Sequence, residues 1–184
     1  VIEHATQTDY SAFGIKKDHP AVVKGIAGSP YAIKDYYDVD PDLAENVDER
    51  MKEFQSLVTR THRAGLKMLI DFVPNHVARQ YCSDSKPKGT KDLGENDVKE
   101  VFFSNQNNFY YLPNETFSPR FDTSQYAEDP YIENPCKATG NDYFGNSPGL
   151  YDWYETVKLN YGVDYHNNRF GDFTPTPDTW TKMK

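Results

Sequence analysis

An aspartate, an asparagine and a histidine stand within the short run Asp71-Phe72-Val73-Pro74-Asn75-His76. A carboxylate accepts hydrogen bonds and pairs with cations. An amide oxygen is a hard donor that suits a metal ion. A neutral imidazole donates from one ring nitrogen and accepts at the other. The residues just before, Leu66-Lys67-Met68-Leu69-Ile70, are nearly continuous in apolar type, and Gly65 precedes them. Polar groups collected at the carboxyl end of a buried parallel strand are the arrangement of an active site on an α/β scaffold. The same spacing also fits a strand that leads into a polar turn.

The elements around this run position it. The clearest is a helix over 47–64. Asn46 can cap it, and Glu49, three residues on, completes a capping-box pattern. Met51, Phe54, Leu57, Val58 and Thr61 fall on one face at helical spacing. Arg60, His62 and Arg63 occupy the last turn, and Gly65 suits the left-handed cap. His62 reads as a solvated helix-end residue. Next, 67–72 reads as a parallel strand covered on both faces. Helix, turn and strand make the αβ half of a βαβ unit.

Residues 1–5 read as the end of an earlier strand, 5–30 as a long polar excursion, and the last residues as the first turns of a helix. After Arg79 the character changes. The segment to 173 is charged, glycine-bearing and irregular, with candidate strands at 101–103, 109–112 and 151–157 and a turn-like polar run, Asn105-Gln106-Asn107-Asn108. No repeat of 20–50 residues appears. Asn114-Glu115-Thr116 is a sequon, and nothing else in the sequence points to glycosylation.

Composition excludes several classes. The chain has 184 residues, and its net charge of -8 leaves no basic stripe for nucleic acid. No apolar run reaches the ~18 residues of a membrane-spanning helix. Cys82 and Cys136 form no zinc pattern, and either a disulfide or two free thiols fits them. Hydrophobic residues make up 37% and aromatic ones 15%, with 14 tyrosines. Aromatic faces on a polar surface suit sugar rings, and for most of these tyrosines the expected role is simply to hold a loop-rich domain together.

The run Asp71-Phe72-Val73-Pro74-Asn75-His76 resembles the first signature of the α-amylase family of glycoside hydrolases, D-x-V-x-N-H, which closes the third strand of a (β/α)8 barrel. Two further segments support the likeness. In Ser29-Pro30-Tyr31-Ala32-Ile33-Lys34-Asp35-Tyr36 a tyrosine precedes an aspartate by four, as in the family's segment after the second strand. Thr156-Val157-Lys158-Leu159-Asn160-Tyr161 is similar to the family's late-insertion segment, L-P-D-L-N-Y. The resemblance covers essentially the whole chain. It implies an α/β fold: a partial TIM (β/α)8 barrel holding the end of strand 2, helix 2, strand 3 and the start of helix 3, with an irregular β-rich inserted subdomain. The implied boundaries are 1–76 for the barrel segment, 77–173 for the insertion and 174–184 for the start of the next barrel helix. A length below the ~250 residues typical of a complete barrel agrees with a piece of a larger enzyme.

The resemblance also assigns roles. Tyr31 stacks on the sugar at the cleavage subsite, His76 hydrogen-bonds its hydroxyls, and Asp71 orients neighbouring groups. Asn75 corresponds to a calcium ligand in many relatives. Lys158, however, stands where the pattern carries an aspartate that often ligates calcium. An ammonium cannot ligate a cation, so the expectation is that Lys158 replaces the metal near Asn75 and that no cofactor is needed. The implied activity is retaining hydrolysis of, or transfer from, α-1,4-glucosidic bonds in starch-like α-glucans. Its two carboxyls lie ~5–5.5 Å apart across the bond. The family places its catalytic carboxylates after later strands, so no catalytic residue is assigned in this chain and the 184 residues are expected to be inactive alone. Arg169-Phe170-Gly171-Asp172 shares residue types with the nucleophile motif G-F-R-x-D in the wrong order, and Glu3 and His4 carry no assigned role. The alternative is a non-catalytic carbohydrate-binding or structural relative that keeps the scaffold. The remaining expectations are export over a cytoplasmic location, an α-glucan ligand, no nucleic acid, no membrane span, and self-association through exposed barrel edges.

Overall fold

The computed structural model describes residues 1–170 and 176–184. Gly171 and Asp172 of the Arg169–Asp172 run, and the expected boundary at 173, therefore lie outside the described residues.

Six short strands and two α-helices order the chain: β1 (Ile2–His4), β2 (Ile33–Val39), α1 (Arg50–Arg63), β3 (His76–Ala78), β4 (Tyr111–Leu112), β5 (Cys136–Lys137), β6 (Thr156–Lys158) and α2 (Asp178–Lys182). They form three antiparallel pairs, β1–β2, β3–β6 and β4–β5, and among the described residues no barrel closes.

The helix read from periodicity is present, with a different start. Residues Val47–Glu49 form a 3-10 turn before α1. The Asn46 side chain accepts the Asp48 N–H at 3.2 Å, as a capping residue should. The reciprocal contact comes from Glu53 instead of Glu49. Its carboxylate accepts the N–H groups of Glu45 at 3.0 Å and Asn46 at 2.9 Å. The 3-10 turn moves the start of α1 on, so the glutamate one helical turn later reaches back, while Glu49 pairs with Lys52. Gly65 ends the helix at φ +76°, a conformation that costs a residue with a Cβ.

The expected strand over 67–72 is not formed. This segment belongs to no ladder, and Leu69 is 96% exposed, with Leu66, Ile70 and Phe72 also exposed. A parallel strand needs a hydrogen-bonded neighbour, and among the described residues the three strand pairs, all antiparallel, do not include this segment. The apolar stripe of α1 is likewise uncovered: none of its residues is buried. The helix is tied on through Arg50, whose guanidinium grips the Asp38 carboxylate on β2. The candidate strand at 101–103 is also absent. Those at 109–112 and 151–157 shrink to β4 and β6, with an isolated bridge between Phe109 and Leu159.

The interior lies mainly in the second half of the chain. Tyr110, Leu112, Phe117, Cys136 and Tyr154 form one cluster, and Val77, Phe109, Tyr111, Val157 and Leu159 a second. Tyrosines thus supply much of the core. Buried amides replace regular ladders elsewhere. Asn107 exchanges hydrogen bonds with both backbone groups of Val98, at 2.8 and 2.7 Å. Asn160 donates to the carbonyls of Ser104 and Asn107, and Asn108 donates to Asp178 and Thr179, which docks α2. Asn105 and Gln106 form the expected turn, while Asn107 and Asn108 are an internal scaffold; each buried amide must be paired, and pairing fixes the loops around it.

Arg79 is the hub. It is fully buried beside β3, donates to the carbonyls of Tyr154, Lys137 and Thr156, and pairs with Glu133 at 2.7 Å. Its guanidinium also lies 4.5 Å from the centroid of the Phe117 ring. One side chain thereby joins β3–β6 to β4–β5. Both cysteines are free thiols, and burial raises that of Cys136 to about 12. Among the described residues no helix is long and apolar enough to cross a membrane.

Candidate functional site: an aromatic cleft beside His76

β3 delivers His76 opposite Lys158 of β6. The segment before it is held from three sides. Tyr36 donates its hydroxyl to the Val73 carbonyl at 2.7 Å, Tyr161 donates to that of Pro74, and the Leu159 N–H donates to that of Asn75 at 3.1 Å. Gly140 makes room for the imidazole. A Cβ there would sit 2.9 Å from the His76 Cβ and 2.5 Å from the Thr156 hydroxyl.

His76 opens onto a cleft of about 510 Å³, lined also by Tyr31, Asn75, Trp153, Glu155 and Thr156. That size is ordinary for a small-molecule site. The Tyr31 ring is 56% exposed on one wall, in a turn closed by the Ala32 N–H to the Ser29 carbonyl at 2.8 Å. Trp153 forms another wall, its ring centroid 5.2 Å from that of His76. Its backbone stands at φ +47°. For a bulky residue this left-handed conformation costs about 1–3 kcal/mol and persists only where the surroundings impose it.

The polar groups of the cleft are underused. His76 is 4% and Glu155 5% exposed, yet His76 Nδ1 and Glu155 Oε2 have no hydrogen-bond partner among the described residues. Burial holds the imidazole below the ordinary histidine range. The Tyr31 backbone opposes this and the Lys158 charge adds to it. The ring is therefore neutral near pH 7, able to donate at one nitrogen and accept at the other. Two exposed aromatic faces beside a neutral imidazole and an acceptor-only carboxylate suit a ring with apolar faces and hydroxyl edges.

Of the residues singled out in sequence, Tyr31, Asn75 and His76 meet in this cleft. Asp71 does not line it; it is exposed and has no hydrogen-bond or ion-pair partner among the described residues. The donors for calcium do not fit. The Asn75 side chain is exposed, the Lys158 ammonium is 2.5 Å from Asp142 and faces the Tyr165 ring, and no group of three or more His, Cys, Asp or Glu able to hold a metal exists among the described residues. Lys158 thus bonds Asp142, one ladder position away from Asn75. Glu3 and His4 lie outside the cleft, His4 bonding Asp40 and the Ala27 carbonyl. Trp153, Glu155 and Gly140 were not singled out in sequence. Trp153 and Glu155 lay inside a stretch that reads as a strand, and nothing about Gly140 marks the close approach it allows.

Comparison with known proteins points the same way. The chain is similar to the amino acid transporter heavy chain SLC3A1 of Rattus norvegicus, 39% identical over 51 residues, covering 28% of this chain and 7% of that protein. It is similar to an alpha-amylase of Streptomyces lividans, 24% identical over 166 residues, covering 83% of this chain and 16% of that protein. It also matches a cyclomaltodextrin glucanotransferase of Bacillus licheniformis, 34% identical over 64 residues, 35% of this chain and 9% of the relative. The chain thus spans less than a fifth of these relatives. No solved structure matches it. The family described as alpha amylase, catalytic domain, matches residues 19–134, more than half of the chain. On that match, which takes in the helix, the D-x-V-x-N-H run and Tyr31, the chain belongs to the alpha-amylase family.

Proposed function

We propose that these residues form the substrate-shaping part of a retaining, α-glucan-active glycoside hydrolase or transglycosidase. The carrying observation is the cleft in which Tyr31, His76 and Trp153 converge. In this reading Tyr31 and Trp153 offer apolar faces to glucosyl rings, and the neutral His76 bonds their hydroxyls. Asp71 acts on the reaction only by orienting neighbouring groups. The double displacement needs two carboxyls ~5–5.5 Å apart. Among the described residues the cleft is lined by one carboxylate, Glu155, so no displacement step is assigned to this chain. The division into a barrel segment at 1–76, an insertion at 77–173 and a following helix belongs to the same proposal.

The test is hydrolysis of a chromogenic maltooligosaccharide by the full-length protein and by its His76→Ala and Tyr31→Ala variants. Both variants are expected to lower kcat/KM by tenfold or more, the loss of one good hydrogen bond or stacking contact. Unchanged kinetics refute the assignment. A second reading, a relative without hydrolytic activity, is favoured by the match to a protein named as a transporter heavy chain; it predicts no turnover in the wild type.

The 184 residues alone are expected to associate, because α1 and the 66–72 segment leave Leu57, Leu69 and Ile70 uncovered. A single monomeric species in sedimentation across a tenfold concentration range refutes this.

A further inference from the structure

We infer that Glu155 and Trp153 form a sugar subsite beside His76, in which the Glu155 carboxylate accepts a glucosyl hydroxyl while the indole covers the ring face. This deepens the proposed function and rests on it. The first support is an unpaired buried acceptor. Glu155 lines the cleft and is 5% exposed, and its Oε2 has no partner among the described residues. Buried carboxylate oxygens are ordinarily paired, and one left open in a cleft is matched by a donor that arrives with the ligand.

The neighbouring cations do not serve it: among the described residues Lys24, which lines the same cleft, makes no ion pair with it, and the others are engaged elsewhere. Arg79 gives its guanidinium to Glu133 and to three carbonyls, Lys137 bonds the Arg79 carbonyl, and Lys158 bonds Asp142. The backbone around Glu155 is nevertheless fixed. Its own carbonyl accepts the Arg79 N–H at 2.8 Å, and the carbonyls on either side, of Tyr154 and Thr156, accept from the Arg79 side chain. The carboxylate is thus mounted on a rigid strand start and left without an internal partner.

Trp153 is the second, independent support. Its left-handed backbone turns a large ring into the cleft mouth, 41% exposed, next to the His76 imidazole. The ligand class follows. A carboxylate accepts and never donates, so the partner must donate. The unpartnered His76 Nδ1 lines the same space. A hydroxyl-rich ring with an apolar face meets all three groups.

The experiment is calorimetric titration of the full-length protein with maltotetraose, together with thermal melting of the unliganded protein. Glu155→Leu is expected to raise Kd about tenfold or more, as for loss of a hydrogen bond to a charged group. The same variant is expected to raise the melting temperature, since it removes a buried unpaired oxygen. A purely structural glutamate gives the reverse: a lower melting temperature with unchanged Kd. Should Glu155→Leu fail to fold, the isosteric Glu155→Gln carries the test, with an expected rise in Kd of about threefold or more from loss of charge assistance. Trp153→Ala is expected to weaken binding in parallel. A wild type that binds maltotetraose while Glu155→Gln binds it equally well overturns this inference and leaves the proposed function standing. A wild type that binds no maltooligosaccharide overturns both.

Discussion

Replacing Arg79 by methionine keeps much of the side chain's length and apolar stem but removes five donors from the interior. The consequences can be followed atom by atom. Glu133 loses its 2.7 Å partner and remains buried. The carbonyls of Tyr154, Lys137 and Thr156 lose their side-chain donor together. Lys137, 3.5 Å from the other Glu133 oxygen, compensates in part. Breaking a buried ion pair by removing one partner costs roughly 3–5 kcal/mol. Because every ~1.4 kcal/mol is a factor of ten, the opening equilibrium of this region should shift by roughly 100- to 4000-fold. The assay is amide hydrogen exchange at Ala138, Lys158 and Arg79, whose N–H groups bond Tyr110, Ala138 and Glu155 across the joined strands. Amides in α1 serve as the internal control, since that helix packs chiefly on β2 and is tied there through Arg50 and Asp38. Arg79→Lys, which keeps charge without the fork, should recover only part of the protection. Exchange within tenfold of wild type in Arg79→Met would refute the view that this residue unites the sheets. A pH effect accompanies it. Burial alone would raise the Glu133 carboxyl, but Arg79 and Lys137 bring it below the ordinary glutamate value. The pair therefore contributes stability above the unfolded value that is lost as pH falls through the folded one; the acid sensitivity of these amides should diminish in Arg79→Met.

Glu3 gives the opposite sign: burial pushes its carboxyl from 4.5 up to about 8, against the Lys34 ammonium, which lies 3.9 Å away and closer to Asp18 at 3.1 Å. The fold then holds a proton that the unfolded chain has released, so stability falls between pH 4.5 and 8, and Glu3→Gln should stabilise more at pH 8 than at pH 5 in denaturant titrations. Equal gains at both pH values would show that burial does not control this carboxyl. Gly140→Ala forces a methyl against the Thr156 hydroxyl and His76, so it should cost about 1–3 kcal/mol and weaken maltotetraose binding several-fold; intact affinity argues that His76 is not positioned by this contact. Chelator should leave the melting temperature unchanged because an ammonium, that of Lys158 paired with Asp142, stands where the family pattern carries a calcium-ligating aspartate, and a calcium-dependent rise of several degrees contradicts this.

What the sequence discloses depends on how local its causes are. The stripe from Met51 to Thr61 and the Gly65 stop are local, and α1 appears within a few residues of its expected span. The strand at 67–72 is not local: its ladder needs neighbours, and a buried-looking run of apolar residues says nothing about whether they are there. The motif residues divide in the same way. Asn75 and His76 reach the cleft because three hydrogen bonds, from Tyr36 of β2 and from Leu159 and Tyr161 just after β6, hold that segment in place. Asp71, a few residues earlier, has no such tether and points to solvent. β2 was hidden for another reason. Lys34 and Asp35 are buried alongside Ile33, so its polarity does not alternate.

The cleft also explains why so much polar machinery sits behind it. His76 Nδ1 and Glu155 Oε2 are each buried without a partner, and each such group costs on the order of 1–3 kcal/mol. The left-handed Trp153 adds a similar amount. A loop-rich segment with two-residue strands cannot absorb these costs by packing alone. The offset comes from one layer deeper, where Arg79 clamps the carbonyls before and after Glu155 and Tyr110, Val157 and Leu159 close the core. The groups that face ligand are left unsatisfied while the backbone that carries them is held by the buried hydrogen bonds behind it. If the cleft were merely a gap between loops, the two costs would be unrelated, and substitutions at Arg79 and Glu155 would add. If Arg79 holds Glu155 for a ligand, the Arg79→Met, Glu155→Leu double variant should bind maltotetraose no more weakly than Glu155→Leu alone, because the carboxylate whose position was at stake is already gone.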